Sequence, residues 1–428
     1  MNIYYIKYEK FLYFFIFIIN HTYVLSRNKK INYDLLLEWG KNHSVYVSDK
    51  IAMNYTDENN KNYYVKQEIK KGEVIISIPT AILLNIESAL KLSGPKIKKQ
   101  FEAYKKQNFE TKIDNSFKEI MSYRVDQSFL AYLMTVANKN KSKKSKFYQF
   151  YKYYFNTFET DLERYPLFYS SEQMRLLMST QFGNELMQTK EMFDEEFGIL
   201  EKYIYKKTLD QDEYTKYRIF SFNKLVNVSG ISSLVPFIDF LETNPVNSNL
   251  QLNSTNDNKA ITIVAKEDIK VTDRLVISVV QMPNSGSYIT YGRIYEENKD
   301  YVETYKIPKV CVSFLKEKKL DPLMATNEIV ELTGRKFFEE ALQTYQEISL
   351  SLKEDGSIIS ALRLFFENMK LVRKEYDTIT PSVLYKTFFQ TKYVKNIKSI
   401  LDTEKRYLDK KIREMKKVIN DIALNKDL

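Results

Sequence analysis

Cysteine, histidine and glycine are scarce in this 428-residue chain, which has one Cys (Cys311), two His (His21 and His43) and ten Gly. A lone cysteine excludes an intrachain disulfide. One Cys and two His also fall short of a Cys/His zinc site, so no metal is expected. Two histidines leave little room for triad chemistry, and His21 sits in a segment that processing would remove. Scarce glycine has a backbone corollary: turns that need φ > 0 must fall largely on Asn or Asp. Long apolar runs are lacking as well. The pronounced one, Phe11 to Ile19, follows Lys7 and Lys10 and precedes Asn20-His21-Thr22. Such a run is too short for a spanning helix but suits the apolar centre of a signal peptide. Residues 1–30 therefore read as a signal-like segment, cleaved or retained as an anchor, with a buried strand or helix as the plain alternative. The first reading implies entry to the secretory pathway or an organelle reached through it.

What is present points to a folded protein. Hydrophobic residues make up 44%, and the length suits two to three domains. Aromatics reach 14%, with 33 Tyr and 27 Phe. The heavy use of Lys, Asn, Ile and Tyr is the mark of an AT-rich coding sequence rather than a structural device. The net charge of +10 is spread as Lys among Glu and Asp, with no arginine-rich block. A solvated surface accounts for it, and no nucleic-acid partner is expected.

Periodicity organises the chain. Residues 33–45 predict an amphipathic helix with Leu35, Leu36 and Trp39 on one face. A β-like stretch, Ser44 to Ser48, precedes a polar loop from Asn54 to Asn62. Val65 to Ile69 and Val74 to Ile78, joined by Lys70-Lys71-Gly72-Glu73, predict a hairpin. From Ile86 to Val228 the pattern is helical, as in Phe129, Leu130, Leu133, Met134 and Val136. Asn138 to Lys146 reads as a lysine-rich helix end or loop. Ser170-Ser171-Glu172-Gln173, a serine with Glu or Gln soon after, resembles a helix-capping arrangement near Pro166. Strand character returns at Ile231 to Asp239, Ala260 to Val264 and Leu275 to Val280. From Lys309 the chain reads as helical, and Leu408, Ile412, Met415, Ile419 and Ile422 form a stripe expected to pack on its own domain. The expected class is α+β: a β-core split by a helical insert, followed by an all-α C-terminal domain. The expected parts are 33–85, the insert 86–228, 229–304 and the helical domain 305–428.

The order of these motifs resembles the SET-domain protein methyltransferases of the Rubisco large-subunit lysine methyltransferase type, a group that includes the actin-histidine methyltransferase. Five pieces carry the resemblance over nearly all of the chain after residue 33. They are Glu68 to Pro79; Phe147-Tyr148 to Tyr151 with Pro166 to Leu177; Leu234-Val235-Pro236-Phe237-Ile238-Asp239; Asp273 to Ser278 with Tyr291-Gly292; and Ala361-Leu362-Arg363 with Glu404-Lys405.

The resemblance implies an S-adenosylmethionine-dependent protein-lysine or protein-histidine N-methyltransferase, a protein substrate or binding partner, and a helical C-terminal substrate-binding domain. Such catalysis rests on positioning and electrostatics and needs no metal. It also implies three site elements, each of which is altered here. The Gly-x-Gly turn falls on Asn60 and Asn62, whose side chains would crowd a cofactor that glycine lets approach. The Asn-His pair after Asp239 falls on Glu242 and Thr243. A two-residue slip offers Asn244, but Pro245 then takes the histidine position and has no N–H to donate. Counting the family spacing back from Gly292 puts the orienting tyrosine at Val279, which offers no hydrogen bond. Tyr291 matches the later family tyrosine, and Asn284 its asparagine. Two readings follow: a divergent methyltransferase with eroded cofactor and catalytic motifs, or an inactive SET pseudoenzyme that serves as a protein-binding scaffold.

Overall fold

The computed structural model describes residues 32–424 except 55–61, 110–117, 141–144, 159–161, 163, 205–208, 229, 256, 280–281, 299–305, 309–311, 321–328, 332–335, 354–356 and 389. The signal-like segment, Asn60 and Cys311 lie outside the described residues. The chain divides into two compact units, Met1–Leu162 with Phe193–Val280, and Glu163–Met192 with Gln281–Leu428.

The first unit opens with helix α1 (32–42), which buries Leu36 and Trp39 and leaves Leu35 half-exposed. Strand β1 (Tyr46–Val47) follows, then the hairpin β2 (Ile51–Met53) and β3 (Tyr63–Val65). Strand β4 (Val74–Pro79) does not form the expected hairpin with Val65 to Ile69. It pairs antiparallel with β1 on one side and with a late strand on the other. The reason lies in its composition: Ile75, Ile76 and Ile78 are all fully buried, so the strand belongs inside a sheet with neighbours on both edges. Burying each such side chain contributes about 1.5–3 kcal/mol. Residues 64–69 are held instead by bridges to the segment 269–274, through Tyr64 to Arg274 and Ile69 to Ile269.

Helices α2 (Ile86–Ser93), α3 (Pro95–Phe109), α4 (Lys118–Asn140) and α5 (Lys146–Phe155) form the insert with α8, described below. Asn85 starts α2 in a capping box with Ser88. Helix α4 buries Phe129, Leu130, Leu133 and Met134, as its spacing predicts. The second unit begins with a 3-10 turn, Pro166–Phe168, and helix α6 (Ser171–Leu177). Ser170 and Gln173 make the expected reciprocal cap there. The division between units falls within α7 (Gln181–Ile199).

Helix α8 (Gln211–Asn223) packs on α4 in the first unit and carries a fully buried arginine. Arg218 Nε donates to Glu196 Oε2 at 2.7 Å, and Arg124 Nε donates to the other carboxylate oxygen at 2.6 Å. The hairpin β5 (Leu225–Val228) and β6 (Ile231–Leu234) leads to a 3-10 turn, Ile238–Phe240. Thus only the first part of the predicted strand Ile231 to Asp239 is extended, because Phe237 takes φ 75° and turns the chain. Strands β7 (Glu242–Asn244), β8 (Leu250–Ser254), β9 (Ala260–Ala265) and β10 (Val276–Ser278) complete a six-stranded sheet of order β1-β4-β9-β8-β10-β7. Strand β10 runs parallel to both its neighbours, and the other pairs are antiparallel.

In the second unit, α9 (Asn284–Tyr291) ends at Gly292, which adopts the left-handed conformation. The predicted helical tail is interrupted by strand β12 (Ile329–Glu331), which pairs antiparallel with β11 (Lys306–Pro308). Helices α10 (Val312–Glu317), α11 (Lys336–Ser351), α12 (Ile358–Thr378), α13 (Pro381–Phe388) and α14 (Thr391–Leu424) make up the rest. Leu408 and Met415 of the predicted stripe are buried, and α14 packs on α12 and α13 of its own unit. Among the described residues no helix is long and apolar enough to cross a membrane, and no cluster of His, Cys, Asp and Glu suits a metal.

Candidate functional site

The approach to the site is a sharp turn. Val235, Pro236, Phe237 and Ile238 are buried, and Phe237 holds its positive φ with its ring packed over Gly40. A Cβ on Gly40 would stand 2.5 Å from the ring, so the close approach of α1 needs glycine there. The turn delivers Asp239 to an interior pocket. The Tyr154 hydroxyl donates to Asp239 Oδ2, and Lys224 Nζ lies 3.7 Å from Oδ1. Burial raises the Asp239 pKa, opposed by the Lys224 cation, and burial pushes Tyr154 well above its ordinary value. The arrangement is a closed polar anchor: one phenol hydrogen bond and one nearby ammonium meet a buried carboxylate.

Three residues beyond Asp239, the edge strand β7 begins. The parallel register sets Glu242 opposite Val276, Thr243 opposite Ile277 and Asn244 opposite Ser278. The backbone N–H of Val279 donates to the Asn244 carbonyl at 3.3 Å. Thus Val279, the residue just past β10, sits beside Asn244, with Glu242 and Thr243 earlier on the same neighbouring strand. Asn249 clamps β10 from below, donating to the Arg274 carbonyl at 2.8 Å and accepting from the Val276 N–H at 2.9 Å.

The side chains on this strand pair are already engaged. Arg274 Nη1 donates to both Glu242 oxygens, at 3.1 and 3.2 Å. Asn244 Oδ1 accepts from the Val246 and Asn247 N–H groups, each at 2.9 Å, and so caps the turn that contains Pro245. Val279 is half-buried and apolar.

The third element comes from β3. Its bridge from Tyr64 to Arg274 brings the start of β3 beside β10, with Asn62 just before Tyr63. The Asn62 carbonyl accepts from the Asn54 N–H at 2.9 Å across the β2–β3 hairpin. Tyr33 donates to the Tyr63 hydroxyl at 2.9 Å, and both rings meet Phe240 edge-on. One aromatic cluster therefore ties Asn62 to the segment that carries Asp239 and Glu242.

Two matched residues belong to the second unit. Tyr291 is half-buried near Tyr295, and burial raises its pKa to about 12. Asn284 holds the loop after α9, donating to the Tyr295 carbonyl and accepting from its N–H, both at 3.0 Å. His43, the one histidine among the described residues, lies against Trp39 with Nδ1 2.7 Å from the Trp39 carbonyl.

Sequence reasoning missed Tyr154, Lys224 and Arg274 as partners of the site. Tyr154 is separated from Asp239 by 85 positions and Arg274 from Glu242 by 32, so no local pattern announces either pair.

No protein-family model and no curated protein sequence matches this chain. Solved structures do. A structure of the SET domain of LSMT bound to lysine and AdoHcy superposes with a TM-score of 0.60 at 12% identity, covering 92% of each chain. One of Rubisco LSMT bound to AdoMet gives 0.59 at 12% identity, covering 91% of this chain and 92% of that one. A third, of Rubisco LSMT bound to sinefungin and monomethyllysine, gives 0.53 at 12% identity, covering 91% and 92%. This chain has the SET-type fold of those methyltransferases, with a helical C-terminal region.

Proposed function

We propose that this chain is a SET-fold protein of methyltransferase type whose cofactor site has been rebuilt, and that it acts as a protein-binding scaffold rather than by methyl transfer. The observation that carries the reading is the strand pair β7–β10. The resemblance asks these positions for an amide, an imidazole and a phenol facing S-adenosylmethionine. They hold instead a carboxylate neutralised by Arg274, a threonine, and a valine. Asn244, the substitute amide, spends its oxygen on two backbone N–H groups, and Pro245 has none to offer. This donor set does not fit S-adenosylmethionine. The similar proteins bind AdoMet or AdoHcy and lysine, which supports a protein partner for this chain as well.

A second reading keeps the activity. Strands β7 and β10 keep a parallel register, so a divergent protein-lysine or protein-histidine N-methyltransferase would hold its cofactor through main-chain contacts and Asn244. Titration calorimetry of the purified protein with millimolar S-adenosylmethionine separates the two. The scaffold reading expects no heat from the natural chain, and binding after Glu242→Asn, Thr243→His and Val279→Tyr are introduced together. Saturable heat with the natural chain would refute it and support the enzyme.

A further inference from the structure

The second unit carries a run of positive charge that the overall composition conceals. Between Lys405 and Lys417 stand seven Lys or Arg against two acids, Asp409 and Glu414, so this stretch alone holds +5 of the chain's +10. It lies on the long helix α14. Arg406, Lys410, Arg413 and Lys417 follow an i, i+4, i+7, i+11 spacing, which aligns them along ~16 Å of one helical face. All four are exposed, while Leu401, Leu408 and Met415 are buried on the opposite side.

The acids that would neutralise this row are already committed. Asp402 pairs with Lys398 at 2.8 Å, Asp409 with Arg373 of α12 at 2.7 Å, and Glu414 with Lys411 at 2.9 Å. Glu404 is buried and accepts from Tyr376. Among the described residues Lys410, Arg413 and Lys417 have no acidic partner. The domain has thus turned its carboxylates inward and sideways and left a single file of cations facing out.

We propose that this row docks a linear acidic peptide segment whose carboxylates match its spacing. The width of the file selects that class. Asp402 and Asp409 flank it on one side and Glu414 and Asp421 on the other, so a broad anionic sheet such as a lipid surface would press on acids as well as cations. Leu401, Leu408 and Met415 of α14 face its own domain, and the row itself carries no apolar side chain for insertion into a bilayer. Single-stranded nucleic acid asks for stacking platforms beside the charge. The nearest ring, Tyr407, is capped by Lys411 at 5.5 Å. The proposal rests on the scaffold reading and names the partner class it leaves open, but its test does not involve the cofactor.

The experiment uses the full chain and a fluorescein-labelled helical peptide bearing Glu at i, i+4, i+7 and i+11. Phosphatidylserine vesicles and a short single-stranded RNA are run in parallel. The peptide binds, salt weakens it, and Lys410→Glu, Arg413→Glu and Lys417→Glu together reduce affinity about tenfold or more. The same three positions changed to Gln give a smaller loss, and Lys96→Glu, Lys98→Glu and Lys99→Glu on α3 leave the affinity unchanged. Equal losses from the α3 and α14 reversals would mean that net charge alone is sensed, which overturns the proposal. So would tighter binding to the vesicles or the RNA than to the peptide. Circular dichroism of each variant verifies that the helices persist.

Discussion

Glu404 offers the sharpest quantitative test of the second unit. The carboxyl is buried where α14 meets α12 and the start of α7. The Tyr376 hydroxyl donates to it at 2.8 Å and itself accepts from the Gln181 N–H at 2.9 Å. Burial, reinforced by the nearby Glu185 carboxylate, raises its pKa from 4.5 to about 8, against the lowering effect of Tyr376 and the Phe182 and Gln181 N–H groups. The folded state therefore holds this proton in a pH range where the unfolded chain has released it. Between 4.5 and 8 the native state binds more protons, so stability falls as pH rises and levels off above 8. Each pH unit within the window costs about 1.4 kcal/mol, and the full span about 5 kcal/mol. That is a large part of the 5–15 kcal/mol typical of a domain. Glu404→Gln removes the titration while keeping an oxygen for Tyr376. The unpartnered amide adds a constant offset, so the informative quantity is the slope. From pH 5 to pH 8 the natural protein should lose about 3–4 kcal/mol relative to the variant. The probe matters: the single tryptophan, Trp39, belongs to the first unit and is blind to this event. Amide hydrogen exchange of α12 and α14, measured at several pH values and corrected for the intrinsic rate, reads the right unit. Parallel slopes for the two proteins would refute the reasoning, because Glu404 would then be ionised inside the fold at neutral pH.

Other substitutions test other joints. Glu196→Gln leaves Arg218 buried without its anion and should destabilise the first unit by about 3–5 kcal/mol in urea unfolding followed by Trp39 fluorescence. Loss of less than 1 kcal/mol would show that Arg218 finds water. Tyr154→Phe removes the phenol that donates to the Asp239 carboxylate, leaving Lys224 at 3.7 Å, and should cost about 1–3 kcal/mol, seen as a lowered thermal midpoint. Gly40→Ala forces a methyl against the Phe237 ring and should cost about 1–3 kcal/mol by the same measurement, with Phe237→Leu on that background recovering part of it.

Elements whose cause is local were legible in the sequence. The Ser170–Gln173 cap, the buried face of α4 and the strand Ala260 to Val264 all follow from spacing within a few residues, and the structure has each of them. The order of motifs also led to the SET-type fold, which likeness to solved structures bears out at only 12% identity. Pairing across the sheet was not legible. Ile69 meets Ile269, two hundred positions away, and the short turn at Gly72 made a local hairpin the natural but mistaken partner. Of the site, family spacing pointed to Glu242, Thr243 and Val279, which the structure places on β7 and just past β10. What those side chains do instead could not, since the partners of Glu242 and Asp239 are set by the folded geometry alone.

The insertion of β10 between β7 and β8 carries a consequence for the order in which this protein assembles. Strands β8 and β9 can pair as soon as they are made, but β10 must enter a slot whose two walls come earlier in the chain. Contacts of that kind close late, after the loops they require have been formed. Among the described strands, three-residue β7 pairs along one edge, with β10. Its amides should exchange with solvent far sooner than those of β4 or β9, which are paired on both sides. The short strand that carries Glu242, Thr243 and Asn244 is therefore the last stitch of the sheet and the first to come undone, so substitutions there carry little cost to the rest of the fold.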